Sequence, residues 1–101
     1  MALVKHTQRT SNFFTHVTVT SSSFSDTFVQ WDFVSQGIAL LNLGVATNII
    51  EYSFNGTTVH GDLDPSTASA GIIFDNRGEC CVYLRLKSGT TADVRIEAWA
   101  V

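Results

Sequence analysis

Charge is what this sequence has least of. Charged residues make up 15% of its 101 positions, against about 25% in an average soluble protein. Either a partner covers part of the surface, or serine and threonine supply the polarity that charges usually provide. The six lysines and arginines do not cluster, so there is no electrostatic footprint for nucleic acid. No stretch approaches the ~20 apolar residues of a membrane-spanning helix. The longest weakly polar run, Ile38 to Ala46, is broken by Asn42 and Gly44. The opening Met1-Ala2-Leu3-Val4-Lys5-His6 lacks the basic-then-apolar layout of a secretory signal, which gives the expectation of a protein made and kept in a cytoplasm or released by lysis.

Cysteine is equally sparse. Cys80 and Cys81 are adjacent, and neighbours on a strand point to opposite faces, so the two cannot form an ordinary disulfide with each other. The expectation is a reduced, buried Cys80 with Cys81 on the other face. No further cysteine could build a zinc site, and the three histidines are scattered, so no metal or other cofactor is expected. There is no glycine-rich phosphate loop and no helical segment of convincing length.

What the sequence does contain is β-strand patterning. One domain is expected by length, and at 45% apolar residues it can bury a core without metals or disulfides. Strand candidates are Phe14 to Thr20, Thr27 to Val34 with Val29, Trp31 and Phe33 on one face, and Ile49 to Phe54. Ile38 to Leu43 fits a helix fragment or a buried strand; its length and flanking glycines favour the strand. Asn55-Gly56 between Ile50–Phe54 and Thr57–His60 predicts a tight hairpin. Asp62 to Ala70, with the only proline, Pro65, reads as a loop. Gly71 to Phe74 is a further strand. The cleanest alternation is at the C-terminus. Val82, Leu84 and Leu86 share a face with Cys80; Val94, Ile96, Ala98 and Ala100 form the matching set. A hairpin through Ser88-Gly89-Thr90-Thr91 would turn both sets inward. The predicted fold is all-β: an antiparallel β-sandwich, jelly-roll-like or barrel-like, of about seven to eight short strands. Residues 1–12 form an extended arm and residues 13–101 the single domain.

Catalytic chemistry is hard to find. His60 beside Asp62 or Asp64 could be a general base, but no nucleophile motif accompanies it, and a surface histidine at a loop margin fits better. Asp62 and Asp64 lack the further oxygen ligands that calcium requires. Asn55-Gly56-Thr57 matches a glycosylation sequon and reads here as turn chemistry. No enzymatic activity is expected. The outward residues are more telling. If both C-terminal strands bury their aliphatic faces, Tyr83, Trp99 and Val101 collect on the other side. Such a patch fits a protein interface, a sheet covered intramolecularly on both faces, or a platform stacking on sugar rings. Leu3 and Val4 are the apolar residues the arm could offer to an interface.

Three segments carry a resemblance: Ile50-Glu51-Tyr52-Ser53-Phe54-Asn55-Gly56-Thr57-Thr58-Val59-His60-Gly61, then Phe74-Asp75-Asn76-Arg77, then Val94-Arg95-Ile96-Glu97-Ala98-Trp99-Ala100. Over residues 49–101 the chain resembles small β-rich virion proteins of tailed bacteriophages. The likeness is one of pattern, without a signature motif, and residues 1–48 match nothing. It implies a structural role in a virus particle, such as capsid decoration (cement) or a head-to-tail accessory. It implies no catalytic residue, and a homo-oligomer, trimer or dimer, in contact with capsid or head-tail proteins. The alternative is a non-catalytic carbohydrate- or receptor-binding module of a fibre or tail.

Overall fold

The computed structural model describes residues 11–101. It contains eight strands: β1 Ser11–Val19, β2 Phe28–Gln30, β3 Gly37–Asn42, β4 Ile49–Ser53, β5 Gly61–Leu63, β6 Gly71–Phe74, β7 Cys81–Ser88 and β8 Ala92–Ala100. They form two four-stranded antiparallel sheets, ordered β1-β8-β3-β6 and β2-β7-β4-β5. The pairings are nested. β4 pairs β5, β3 pairs β6, β2 pairs β7 and β1 pairs β8. The chain is one long antiparallel hairpin rolled up on itself, which is the jelly roll, an architecture of capsid, lectin and cupin domains. The sandwich expected from the alternation is thereby found, with its jelly-roll form specified.

Alternation builds the core. Val82, Leu84, Val94, Ile96, Ile38, Leu40, Ile50 and Leu63 are at most 1% exposed, each from the inward register of its strand. Trp31 and Tyr52 are also buried; the Trp31 indole N–H donates to the Glu79 carbonyl at 2.9 Å, which makes its burial affordable. Four polar residues, Ser35, Asn42, Asn48 and Ser53, are also buried, and Asn42 sits at a sheet corner. Asn42 donates through Nδ2 to the Asn48 and Leu63 carbonyls, at 2.8 and 3.1 Å. Its Oδ1 accepts from Gly44 N at 2.8 Å. Asn42 thus ties together the ends of β3 and β5 and the β3–β4 loop.

Several local expectations are corrected. β7 and β8 are not a hairpin: they lie in different sheets, and the connection Gly89–Thr91 crosses the sandwich. Their aliphatic faces meet across the core instead of lying side by side. Asn55-Gly56 is not a two-residue turn. β4 returns through β5, with Tyr52 opposite Gly61, so Phe54–His60 is a wide loop. Within it Asn55 Oδ1 accepts from the Thr57 and Thr58 amides at 2.9 and 2.8 Å, and only Gly56 has a positive φ, +81°. The strand at Thr27 to Val34 is shorter, because the chain bends at Asp32 and Phe33 to cross between sheets. Cys80 is exposed and Cys81 half-buried; β7 begins at Cys81, so the inward register does not reach back to Cys80. Ser11 and Asn12, expected in the arm, belong to β1. The remainder of that arm, with Leu3 and Val4, lies outside the described residues.

Candidate protein interface

The two outer faces of the sandwich differ in character. On β2-β7-β4-β5 the register sets charges opposite one another. Arg85 Nε lies 2.8 Å from Glu51 Oε1 and Lys87 Nζ 2.8 Å from Asp62 Oδ2, while the Arg85 guanidinium sits 4.0 Å from the centroid of the buried Phe24 ring. Asp62 and its hydrogen bond hold the Lys87 ammonium above its ordinary pKa. This face is laced by its own ion pairs.

The face of β1-β8-β3-β6 is apolar at its margins. Cross-strand register places Phe14, Glu97, Ala39 and Ile73 in one row, and His16, Arg95, Leu41 and Gly71 in the next. Phe14 and Ile73 are 57% and 65% exposed, which is much for large apolar groups. Between them Arg95 and Glu97 approach to 3.9 Å, so the central charges offset each other. Leu41 leans over Gly71, where an added Cβ would lie 2.9 Å from Leu41 Cδ1. A shallow depression of about 410 Å³ opens beside them, lined by Ala39, Leu41, Gly71, Ile73 and Arg95 among others.

The expected patch of Tyr83, Trp99 and Val101 is divided. Since β7 and β8 belong to different sheets, Tyr83 and Trp99 point out of opposite faces. Tyr83 packs on Phe28, ring centroids 4.7 Å apart, and its ring lies against Gly56, where a Cβ would come within 3.2 Å. The Trp99 indole lies over Gly37, where an added Cβ would fall 2.2 Å from the ring. Glycine is therefore required at position 37 by this close approach. Trp99 shares its outer face with Phe14 and Ile73, and Val101 is exposed just past the strand end. The margin residues Phe14, Leu41 and Ile73 were missed in the sequence, where each sits in a short apolar run whose facing is ambiguous.

The residues considered for chemistry have structural occupations. His60 Nδ1 accepts from Phe54 N at 3.0 Å and closes the β4–β5 loop. Asp64 Oδ1 accepts from Ser66 N and Oγ at 2.9 and 2.6 Å, which holds its carboxyl below the ordinary range. Arg77 lies over the Phe54 and Phe74 rings, 4.2 and 5.5 Å from their centroids, and pairs with Glu79 at 3.0 Å. Among the described residues no group of three or more His, Cys, Asp or Glu side chains could hold a metal ion, and no helix is long and apolar enough to cross a membrane.

No protein family's sequence profile matches the chain, and no curated protein matches it. Several solved structures are similar in shape. A chain from the acidic stable capsid of Helicobacter pylori bacteriophage KHP30 is 8% identical with a TM-score of 0.47, over 92% of this chain and 90% of that one. The Drosophila NLP core, a structure concerned with pentamer formation and histone binding, is 18% identical with a TM-score of 0.46, over 90% and 97%. Aeromonas hydrophila PliG, a periplasmic inhibitor of g-type lysozyme, is 5% identical with a TM-score of 0.48, over 88% and 86%.

Proposed function

We propose that this chain is a non-catalytic structural protein of a tailed bacteriophage virion, a decoration or cement subunit that stabilises the particle through protein–protein contacts. Its place is the virion, after synthesis in the bacterial cytoplasm. The observation that carries the reading is the outer face of β1-β8-β3-β6, where Phe14 and Ile73 stand largely in solvent beside Leu41, Ala39 and Trp99. Large apolar groups left exposed on one face mark an interaction surface; here they stand at its two margins, with the Arg95–Glu97 pair between them. Neutralised central charges lower the desolvation cost of covering it. The pattern resemblance over residues 49–101 supplies the virion as the setting, and the jelly roll is compatible with it as an architecture many capsid proteins use. The separation of Tyr83 from Trp99 removes the two-ring platform on which a sugar-binding module was conceived.

The test is binding to capsids of the phage that carries the gene, stripped of accessory proteins. The parent is expected to co-sediment with them and to raise their temperature of disruption. Phe14→Ser with Ile73→Ser is expected to keep the parent's circular dichroism and lose at least tenfold in affinity. Unchanged binding by that folded variant would move the interface to another face. A parent that ignores capsids and binds an oligosaccharide would replace the proposal with the carbohydrate-binding reading.

A further inference from the structure

β1 is an unusual edge. Among the described residues four strands border the two sheets; β2 and β5 have three residues each and β6 four, but β1 has nine. It pairs with β8 from Ser11 to Val19 without a register shift, so a straight row of backbone donors and acceptors faces away from the sheet. Natural proteins blunt long edges with lysine, proline, a bulge or an inward charge. Ser11–Val19, SNFFTHVTV, has none of these. The core is also open on this side. The inward residues Phe13 and Val17 are only partly buried, whereas their neighbours Val94, Ile96 and Ala98 on β8 are at most 1% exposed.

An extended strand is the natural cover for such an edge, and the chain offers two sources. Residues 1–10 precede β1 directly and would have to reverse sharply to lie along it. Met1 to Thr10, MALVKHTQRT, contains no Gly, Pro, Asn, Asp or Ser, the residues that make tight reversals. A second copy of β1 needs no turn. Paired antiparallel about a two-fold axis at Thr15, it would set Thr15 opposite Thr15, Phe14 opposite His16 and Phe13 opposite Val17. Such threonine and aromatic cross-strand pairs are favourable, and an antiparallel strand paired with itself is an isologous contact. Charge favours the same place. Lys5 and Arg9 are two of the six cations, and all nine carboxylates lie beyond residue 10, so residues 11–101 carry a net −5. Two such domains repel, and β1 is a long strand without a formal charge on which they can meet.

The geometry points to a dimer in which β1 pairs antiparallel with β1 of a second copy, joining two sheets into one of eight strands. This deepens the function proposed above, because the seam would unite the Phe14 margins of two apolar faces. It is measured on the purified chain without capsids, so it stands or falls separately from the virion assignment. Light scattering at about 50 μM should give twice the 11.0 kDa chain mass. A Thr15→Cys variant, with Cys80→Ser and Cys81→Ser, should form a covalent dimer with a short bismaleimide, since opposed residues on paired strands lie about 5 Å apart at Cβ. Phe14→Pro and Thr15→Pro should differ, because adjacent residues of a strand aim their N–H groups to opposite sides. One variant breaks a bond to β8 and unfolds. The other loses only a free-edge donor and should remain folded as a monomer. A monomeric parent overturns the proposal, as does a folded proline variant that stays dimeric or a dimer that cannot be linked through position 15. If neither proline variant folds, the crosslink decides alone.

Discussion

Single residues in this molecule mostly act through the backbone they hold. Asn42 is the clearest case, since one buried carboxamide satisfies two carbonyls and one amide. Asn42→Ala removes the carboxamide that these groups share at a largely buried site, and a buried unsatisfied polar group costs about 1–3 kcal/mol. Urea unfolding should show a loss of that size with an unchanged m-value. Tyr52 contributes to the alkaline side, together with Cys81 and Lys87, whose pKa values are also raised. The Tyr52 pKa is raised chiefly by burial, with Arg77 opposing and Asp62 adding to the rise; burial likewise raises the Cys81 thiol. A folded-state pKa above the unfolded one gives stability that is complete below the unfolded value and declines as pH rises toward and through the folded one. The loss therefore begins near the ordinary thiol value of 9.0 and deepens above the ordinary phenol value of 10.0. Comparing urea midpoints at about pH 8 and pH 10.5, Tyr52→Phe should narrow the difference seen in the parent. An equal difference would show that Tyr52 does not contribute to this limb.

At the scale of the element, β7 is the strand that most needs its alternation. It lies between β2 and β4, and Val82 and Leu84 are fully buried. Leu84→Ala removes a large side chain from a site packed by the opposing sheet and should cost about 2–5 kcal/mol. A cost under about 0.5 kcal/mol would contradict its inward facing. Along the same strand Tyr83, Arg85 and Lys87 face outward and are engaged by Phe28, Glu51 and Asp62. Exposed pairs of this kind contribute little each. They matter more in covering the β7-β4-β5 part of this outer face with paired charges, while Phe28 stays 46% exposed at its β2 edge.

Taken whole, the molecule is closed by its ends. The first described strand pairs with the last, and β8 is central to its sheet, between β1 and β3. Most close residue pairs join segments far apart in the chain, so most contacts form only after large loops have closed. Folding dominated by such pairings falls in the range of milliseconds to seconds. Stopped-flow refolding followed by tryptophan fluorescence, with Trp31 buried as the reporter, should show that timescale. A chain ending at Thr91 should show no cooperative unfolding, since it lacks the strand that joins β1 to β3.

The sequence by itself determined which residues of β7 and β8 face inward. Val82, Leu84, Leu86, Val94, Ile96 and Ala98 are buried as their spacing requires, because period-two alternation is a local property of a pleated strand. It also specified an all-β sandwich, since turn residues recur between short apolar runs. Tertiary structure alone decided which sheet each strand joined. Ser88-Gly89-Thr90-Thr91 has the composition of a hairpin loop, yet Gly89 packs against Asn48, whose Oδ1 accepts from Thr90 N at 3.1 Å; the partner lies about forty residues away. That choice separated Tyr83 from Trp99 and brought Phe14 and Ile73 onto one face. It also left β1 at an edge. Facing is written in neighbouring residues, whereas strand order is set by competition among distant pairings for one core, which no short stretch of sequence contains.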